Sequence, residues 1–195
     1  NPSGDREIYS VKELSELFDL TKVNKAGAIF DPEKLNWMNG QYLRKLSDKD
    51  LLEWAGDIEG VDKELLVRIL SVEKERLTLK SELIDKIPMY TVQPTYQSDI
   101  LVWKKSDAND AQTQLTDVLA FLETQSDSVF ESVELVEEAV KGYIGSNELQ
   151  NGNVLWPLRV ALSGSKQSPS PFELTWALGK EETIRRLNTA IKSLS

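Results

Sequence analysis

The side chains able to do chemistry in this 195-residue chain are carboxylates, serines and a small set of arginines, because the sequence has no histidine and no cysteine. Without imidazole or thiol, the usual general base, the thiolate nucleophile and the Cys- or His-ligated zinc or iron–sulfur site are excluded. Carboxylate pairs are then the first acid–base candidates. Glu137-Glu138 and Glu181-Glu182 are sequence neighbours, which on a helix point away from one another into solvent. Ser163, Ser165 and Ser168 have no histidine base and no GxSxG elbow, which leaves them turn and capping roles. Gly142, Gly145, Gly152 and Gly164 match neither the Walker spacing nor a dinucleotide fingerprint, so no phosphate-binding loop is expected. What remains is recognition.

Recognition of a polyanion would have to be local. The chain carries 23 Lys and Arg against 32 Asp and Glu, a net charge of −9. Residues 151–195 hold six basic and three acidic groups, leaving 17 against 29 in the rest, so an acidic body has a basic end. No apolar run approaches the ~20 residues that cross a bilayer. Residues 1–8 show no signal-peptide pattern, so a cytoplasmic protein without a membrane partner is expected.

The elements that must position the arginines read as helices. Ser10 and Glu13 form a capping box, Tyr9 can staple onto Leu14, and Leu14, Leu17 and Phe18 follow the spacing of a buried helix face. Asp31-Pro32 suits an N-cap and first helical position, with Leu35, Met38, Tyr42 and Leu46 continuing at helical spacing and Asn39-Gly40 weakening the middle. Asp48 starts a short helix that ends before a turn at 56–60. Asp62 caps a longer one running until Pro88 stops it. The stretch 88–97, with Pro94, is the best linker and the expected domain boundary. Beyond it, Leu115, Val118, Leu119 and Leu122 mark one helix and Ser132 caps another, followed by a polar loop over 145–153. An apolar helix over 154–162 tolerates Pro157 only near its start, and Ser163-Gly164 ends it. Ser170, Pro171 and Glu173 open a short helix to Gly179, and a final helix has Ile184, Leu187, Ile191 and Leu194 on one face. The fold class is all-α, in two pieces.

Two blocks are more specific than this pattern. Phe18-Asp19-Leu20, Val23, Ala28, Phe30-Asp31-Pro32-Glu33-Lys34-Leu35, Trp37-Met38-Asn39-Gly40 and Tyr42-Leu43-Arg44 resemble bacterial glutamyl-tRNA synthetases just past their catalytic domain. Trp156-Pro157-Leu158-Arg159-Val160-Ala161-Leu162-Ser163-Gly164, Pro169, Phe172-Glu173, Leu178-Gly179-Lys180-Glu181 and Arg185-Arg186-Leu187 resemble the end of the same enzymes. Order and spacing agree along nearly the whole chain, and the match is poor over 85–128. The resemblance implies a class I aminoacyl-tRNA synthetase, a ligase that joins glutamate to tRNA with ATP on a domain bearing HIGH and KMSKS signatures. Neither signature is present here, and HIGH requires histidine. The stretch therefore resembles the anticodon-binding C-terminal portion, with the catalytic half expected upstream. It is expected to bind tRNA without charging it and to need no cofactor of its own, since ATP and magnesium belong to the catalytic domain. The implied partner is the glutamate tRNA, with the glutamine tRNA as the alternative, bound by a monomer.

The same resemblance implies a fold of two consecutive helical subdomains forming an anticodon-binding cage. It divides the chain into a stem-contact tail (1–46), a first subdomain (47–95) and a second (96–195). Arg76 matches the position at which an arginine reads an anticodon base, a task its bidentate fork suits. The competing reading is a solvated helix residue paired with Glu73 or Glu75. Arg159 matches the other arginine associated with the anticodon end. On an apolar helix it needs a polar partner, RNA or an internal carboxylate. The loop 164–171 matches the stretch that meets anticodon bases, with Ser168, Pro169 and Phe172 at the contributing positions. It departs from the family in carrying Ser170 where glycine is usual, which disfavours positive φ there. Trp37 and Tyr42 are expected to pack in the core. Arg44 and Lys45, with Lys180, Arg185, Arg186 and Lys192, are candidate phosphate contacts that add salt-dependent affinity without sequence information. Two readings compete with tRNA binding: a helical scaffold for basic protein partners, and a free-standing regulatory paralogue of the anticodon domain.

Overall fold

The computed structural model describes residues 6–22, 30–104 and 106–194. Among them there are helices and no strand, as the periodicity predicts. In chain order the α-helices are α1 (Val11–Leu17), α2 (Pro32–Lys45), α3 (Asp48–Ala55), α4 (Lys63–Glu73), α5 (Lys80–Thr91), α6 (Ala108–Thr124), α7 (Val133–Ser146), α8 (Asn151–Ser163) and α9 (Pro171–Ser193). Val23 and Ala28, part of the first resembling block, lie outside the described residues, as do residues 1–5. No described helix is long and apolar enough to cross a membrane.

Short-range chemistry sets most helix starts. Side chains of Ser10, Asp31, Ser47, Asp62, Asp107, Ser132 and Ser170 each accept a backbone N–H of the first turn, satisfying donors that the helix itself cannot. Helix α9 is broken at Gly179, whose φ of 75° is open to glycine at little cost, so the short and final helices predicted from sequence meet at a kink. The core gathers round α9, which packs against α4, α6, α7 and α8, with Leu158, Leu162, Leu174 and Leu187 fully buried between them.

Five expectations are corrected. The helix expected to run from Asp62 to Pro88 breaks after Glu73 into a single 3-10 turn, Lys74–Arg76, before α5 begins. The Glu82 carboxylate causes the break: it accepts the N–H groups of Thr78 and Leu79 at 2.6 and 3.0 Å and the Thr78 hydroxyl at 2.9 Å, supplanting helical acceptors. Burial raises the Glu82 pKa, but those hydrogen bonds outweigh it and hold the carboxyl below its ordinary value. Pro88 sits inside α5 on the exposed side, where water can satisfy the carbonyl its ring leaves free. Asn39-Gly40 does not weaken α2 but docks it. The Asn39 amide donates to the Thr78 carbonyl, and a Cβ on Gly40 would stand 3.1 Å from Thr78 Cγ2.

The polar loop expected over 145–153 shrinks to four residues, because α7 continues to Ser146 and α8 starts at Asn151; buried Pro157 is thus interior. Fourth, α1 buries none of its residues, and Leu14, Leu17 and Phe18 are exposed. Fifth, Trp37 and Tyr42 are not core residues: they are 43% and 40% exposed, and Tyr42 donates its hydroxyl to the Tyr9 carbonyl at 2.6 Å.

A buried polar pair fastens α4 to α5. Glu73 is fully buried at the end of α4, accepts the Tyr90 hydroxyl at 2.7 Å, and lies 3.1 Å from Lys86 Nζ. Burial, then the Glu73 charge and hydrogen bond, push the Tyr90 phenol above its ordinary range, so it stays a neutral donor. Replacing Tyr90 by Phe withdraws that donor from a buried charge. The expected result is a stability loss of about 1–3 kcal/mol, read as a lower denaturant midpoint at unchanged slope.

Candidate nucleic-acid interface

Arg76 closes the 3-10 turn after α4 and stays 42% exposed. Its guanidinium donates to the Val72 carbonyl and, at 3.1 Å, to Glu173 Oε1 near the start of α9. The partner is therefore neither Glu73 nor Glu75. Arg44, at the end of α2, donates to the Glu75 carbonyl at 3.1 Å and braces the same turn.

Arg159 reaches the bend at 163–170 directly. It projects from α8, stacks 4.8 Å above the Trp156 ring and donates Nη2 to the Lys166 carbonyl at 3.0 Å. Its partner is backbone, not a carboxylate. Its Nε is buried and has no hydrogen-bond acceptor. Trp156 in turn donates to the Ile100 carbonyl and lies 5.0 Å from Trp103, ring centre to ring centre. Trp103, Trp156, Arg159, Asn151, Gly152, Leu155 and Pro171 line an open groove of about 310 Å³. A larger groove of about 440 Å³ between α3 and α4 has charges of both signs and no aromatic ring, so it gives a nucleobase nothing to stack on.

The bend is ordered by its own serines. Ser163 Oγ accepts the Ser165 N–H, Ser165 Oγ accepts the Gln167 N–H, and Ser168 donates to the Pro169 carbonyl. Ser170 has φ −61° and ψ 155°, an extended N-cap, so the serine that replaces the usual glycine sits without strain. Ser168 is half-buried and available. Pro169 and Phe172 are buried as pegs beneath the bend, with Lys141 Nζ 5.8 Å from the Phe172 ring centre, and present no free face.

The candidate phosphate contacts separate sharply. Arg185 is 52% exposed and pairs with Glu182 at 2.6 Å. Arg186, expected on the surface beside it, is fully buried: it pairs with Glu182 and donates to the carbonyls of Met89, Leu162 and Val92. Lys180 donates to the Gln125 carbonyl just past α6. Carbonyls at helix ends lack internal donors, and here cations supply them. The aromatic groove was the part missed by sequence reasoning. Trp156 and Arg159, three apart on one helix, share a face that spacing alone could have revealed. Trp103 lies in the poorly matching segment and gives no such signal.

The described residues form an all-helical protein in which Arg159 is tied to one ordered bend and Arg76 to the helical turn that follows it. The chain belongs to the anticodon binding domain family, whose model matches residues 41–191. It is similar to the glutamate–tRNA ligases of Clostridium botulinum, strain Eklund 17B (38% identical over 200 residues), and Clostridium acetobutylicum (34% over 201), all of this chain being covered in each case. It spans about two fifths of their length (41% of each). A solved glutamate–tRNA ligase from Elizabethkingia meningosepticum superposes on all of it with a TM-score of 0.82 at 28% identity, over 39% of that chain. The enzyme from Elizabethkingia anophelis covers 98% of it with a TM-score of 0.78, also at 28% identity, over 38% of its own chain.

Proposed function

We propose that this chain is the tRNA-binding, anticodon-reading part of a glutamate–tRNA ligase of the cytoplasm, and that it carries none of the catalytic machinery itself. ATP and magnesium chemistry would belong to the remainder of such an enzyme, and the RNA partner would be the glutamate tRNA. One observation carries this reading: Arg76, on the turn after α4, is tied to the first turn of α9, and Arg159, on α8, is tied to the bend leading into that turn and has an unpartnered buried N–H on the wall of an aromatic groove. Unstacked bases of an RNA loop offer what that corner lacks, flat faces to stack and acceptor edges. Arg76 keeps at least two N–H donors free for a base edge. Half-buried Ser168 lies on the bend, and exposed Arg185 and Lys192 supply phosphate contacts on the basic end.

The test uses anticodon stem-loop hairpins of the glutamate and glutamine tRNAs, which differ at one anticodon base. Binding of both should weaken steadily as salt rises, with log K linear in log salt concentration. Arg76→Gln should erase about tenfold of the preference between them, the value of one arginine–base contact of 1–3 kcal/mol. Arg185→Gln should weaken both by about threefold and leave their ratio alone. Salt-independent binding, or none, would remove the reading in favour of a protein-interaction module.

A further inference from the structure

We infer that Glu173 is a positioning residue that fixes the Arg76 guanidinium before RNA arrives, an inference that rests on the reading of Arg76 just proposed. Glu173 Oε2 accepts the Ser170 N–H at 2.6 Å, completing the capping box that starts α9. Arg76 Nη2 donates to the other oxygen, Oε1, at 3.1 Å and more distantly to Oε2 at 3.4 Å. A carboxylate serves both duties with an acceptor on each oxygen, whereas a carboxamide keeps an acceptor on only one. The arrangement locks the bend and the arginine to a single side chain, although they belong to helices far apart in sequence.

Arginine loses up to about 2 kcal/mol of rotamer entropy when immobilised, and holding it in place beforehand removes much of that cost from binding. The Val72 carbonyl holds Nη1 and Glu173 holds Nη2, which leaves Nε and one N–H on each Nη outside these two bonds. The ion pair leaves Arg76 42% exposed and Glu173 only 23% exposed, so the acid is the inner member of the pair and the cation the outer one. RNA therefore meets the arginine, not the glutamate.

Glu173→Gln separates the two duties. Its carbonyl oxygen can still accept the Ser170 N–H, while its amide replaces the nearer Arg76 acceptor with a donor and leaves only the longer 3.4 Å contact to the carbonyl oxygen. The expected result is that preference between the glutamate and glutamine hairpins falls about tenfold, with thermal stability of the chain within a few degrees of the parent. In the Arg76→Gln background the same substitution should change neither affinity nor preference, because there is no guanidinium left to position. A purely structural glutamate would instead weaken both hairpins equally in both backgrounds, and that result overturns the inference. If Arg76→Gln removes the preference but Glu173→Gln does not, only the positioning role fails. If Arg76→Gln has no effect, the reading of Arg76 fails and takes this inference with it.

Discussion

Arg186→Ala should be the most damaging single substitution away from the bend, costing about 3–5 kcal/mol and lowering the melting temperature by about 10 °C for a chain of this size. Three carbonyls and one carboxylate depend on that side chain. Met89 and Leu162 sit in the last turns of α5 and α8, where carbonyls have no helical donor left, and Val92 follows immediately after α5. One buried guanidinium thus caps two helices and ties them to α9, with its charge placed favourably at both helix C-termini. Arg186→Lys should recover less than half of the loss, because a single ammonium cannot span three carbonyls and a carboxylate. Arg186→Met restores volume without donors. Parent-like stability of the Met variant in denaturant titrations would show that those carbonyls do not need this cap.

The same cluster predicts a pH dependence. Burial raises the Glu182 pKa, but hydrogen bonds from Arg185 and Arg186 outweigh it and leave the carboxyl below its ordinary value. A carboxyl whose folded pKa is depressed contributes stability that is full above its unfolded value, near 4.3, and is lost as pH falls through the folded one. Acid titration of the parent should therefore lose this contribution below about pH 4, and Arg186→Ala should have less of it to lose.

Gly164→Val should be nearly as costly, about 3 kcal/mol, and should damage the bend directly. Gly164 ends α8 in the left-handed region, φ 69° and ψ 11°, with its N–H donating to the Val160 carbonyl at 2.8 Å. A β-branched residue there is strained by about 1–3 kcal/mol. A Cβ would also come within 2.7 Å of Pro94 Cβ, in the link between α5 and the rest of the chain. Overpacking of that kind adds about 1–3 kcal/mol. Gly164→Asn tests the division, since asparagine tolerates the left-handed backbone but not the clash, and its loss should fall between those of the parent and the Val variant. Weaker hairpin binding should accompany both, because the carbonyl that holds Arg159 lies two residues on, at Lys166. Undiminished stability of the Val variant would mean that Pro94 yields freely and that the bend does not depend on the link.

The helical class, most helix starts and the break at Gly179 were legible in the sequence because each is decided within about four residues. Ser10 with Glu13, Asp31 with Pro32, and Ser170 with Glu173 carry their partners beside them. The break after Glu73 was missed although its cause, Glu82, is also local: apolar spacing through Leu65, Leu66, Ile69 and Leu77 reads equally well as one helix, and buried Leu77 keeps that spacing across the gap. Trp37 and Tyr42 were misplaced for the opposite reason, since aromatic character says what a side chain prefers and not whether this fold offers it a wall.

Sequence alone determined which residues could punctuate helices, that chemistry by imidazole or thiol was impossible, and that cations were scarce. Only the tertiary structure decided where those cations went. Arg185 and Arg186 are neighbours of identical type, yet one lies half in solvent and the other is wholly enclosed. Their fates differ because one helical step of about 100° turns the second toward the ends of α5 and α8. The groups waiting there are backbone carbonyls, which every residue carries, so no pattern of side chains announces them.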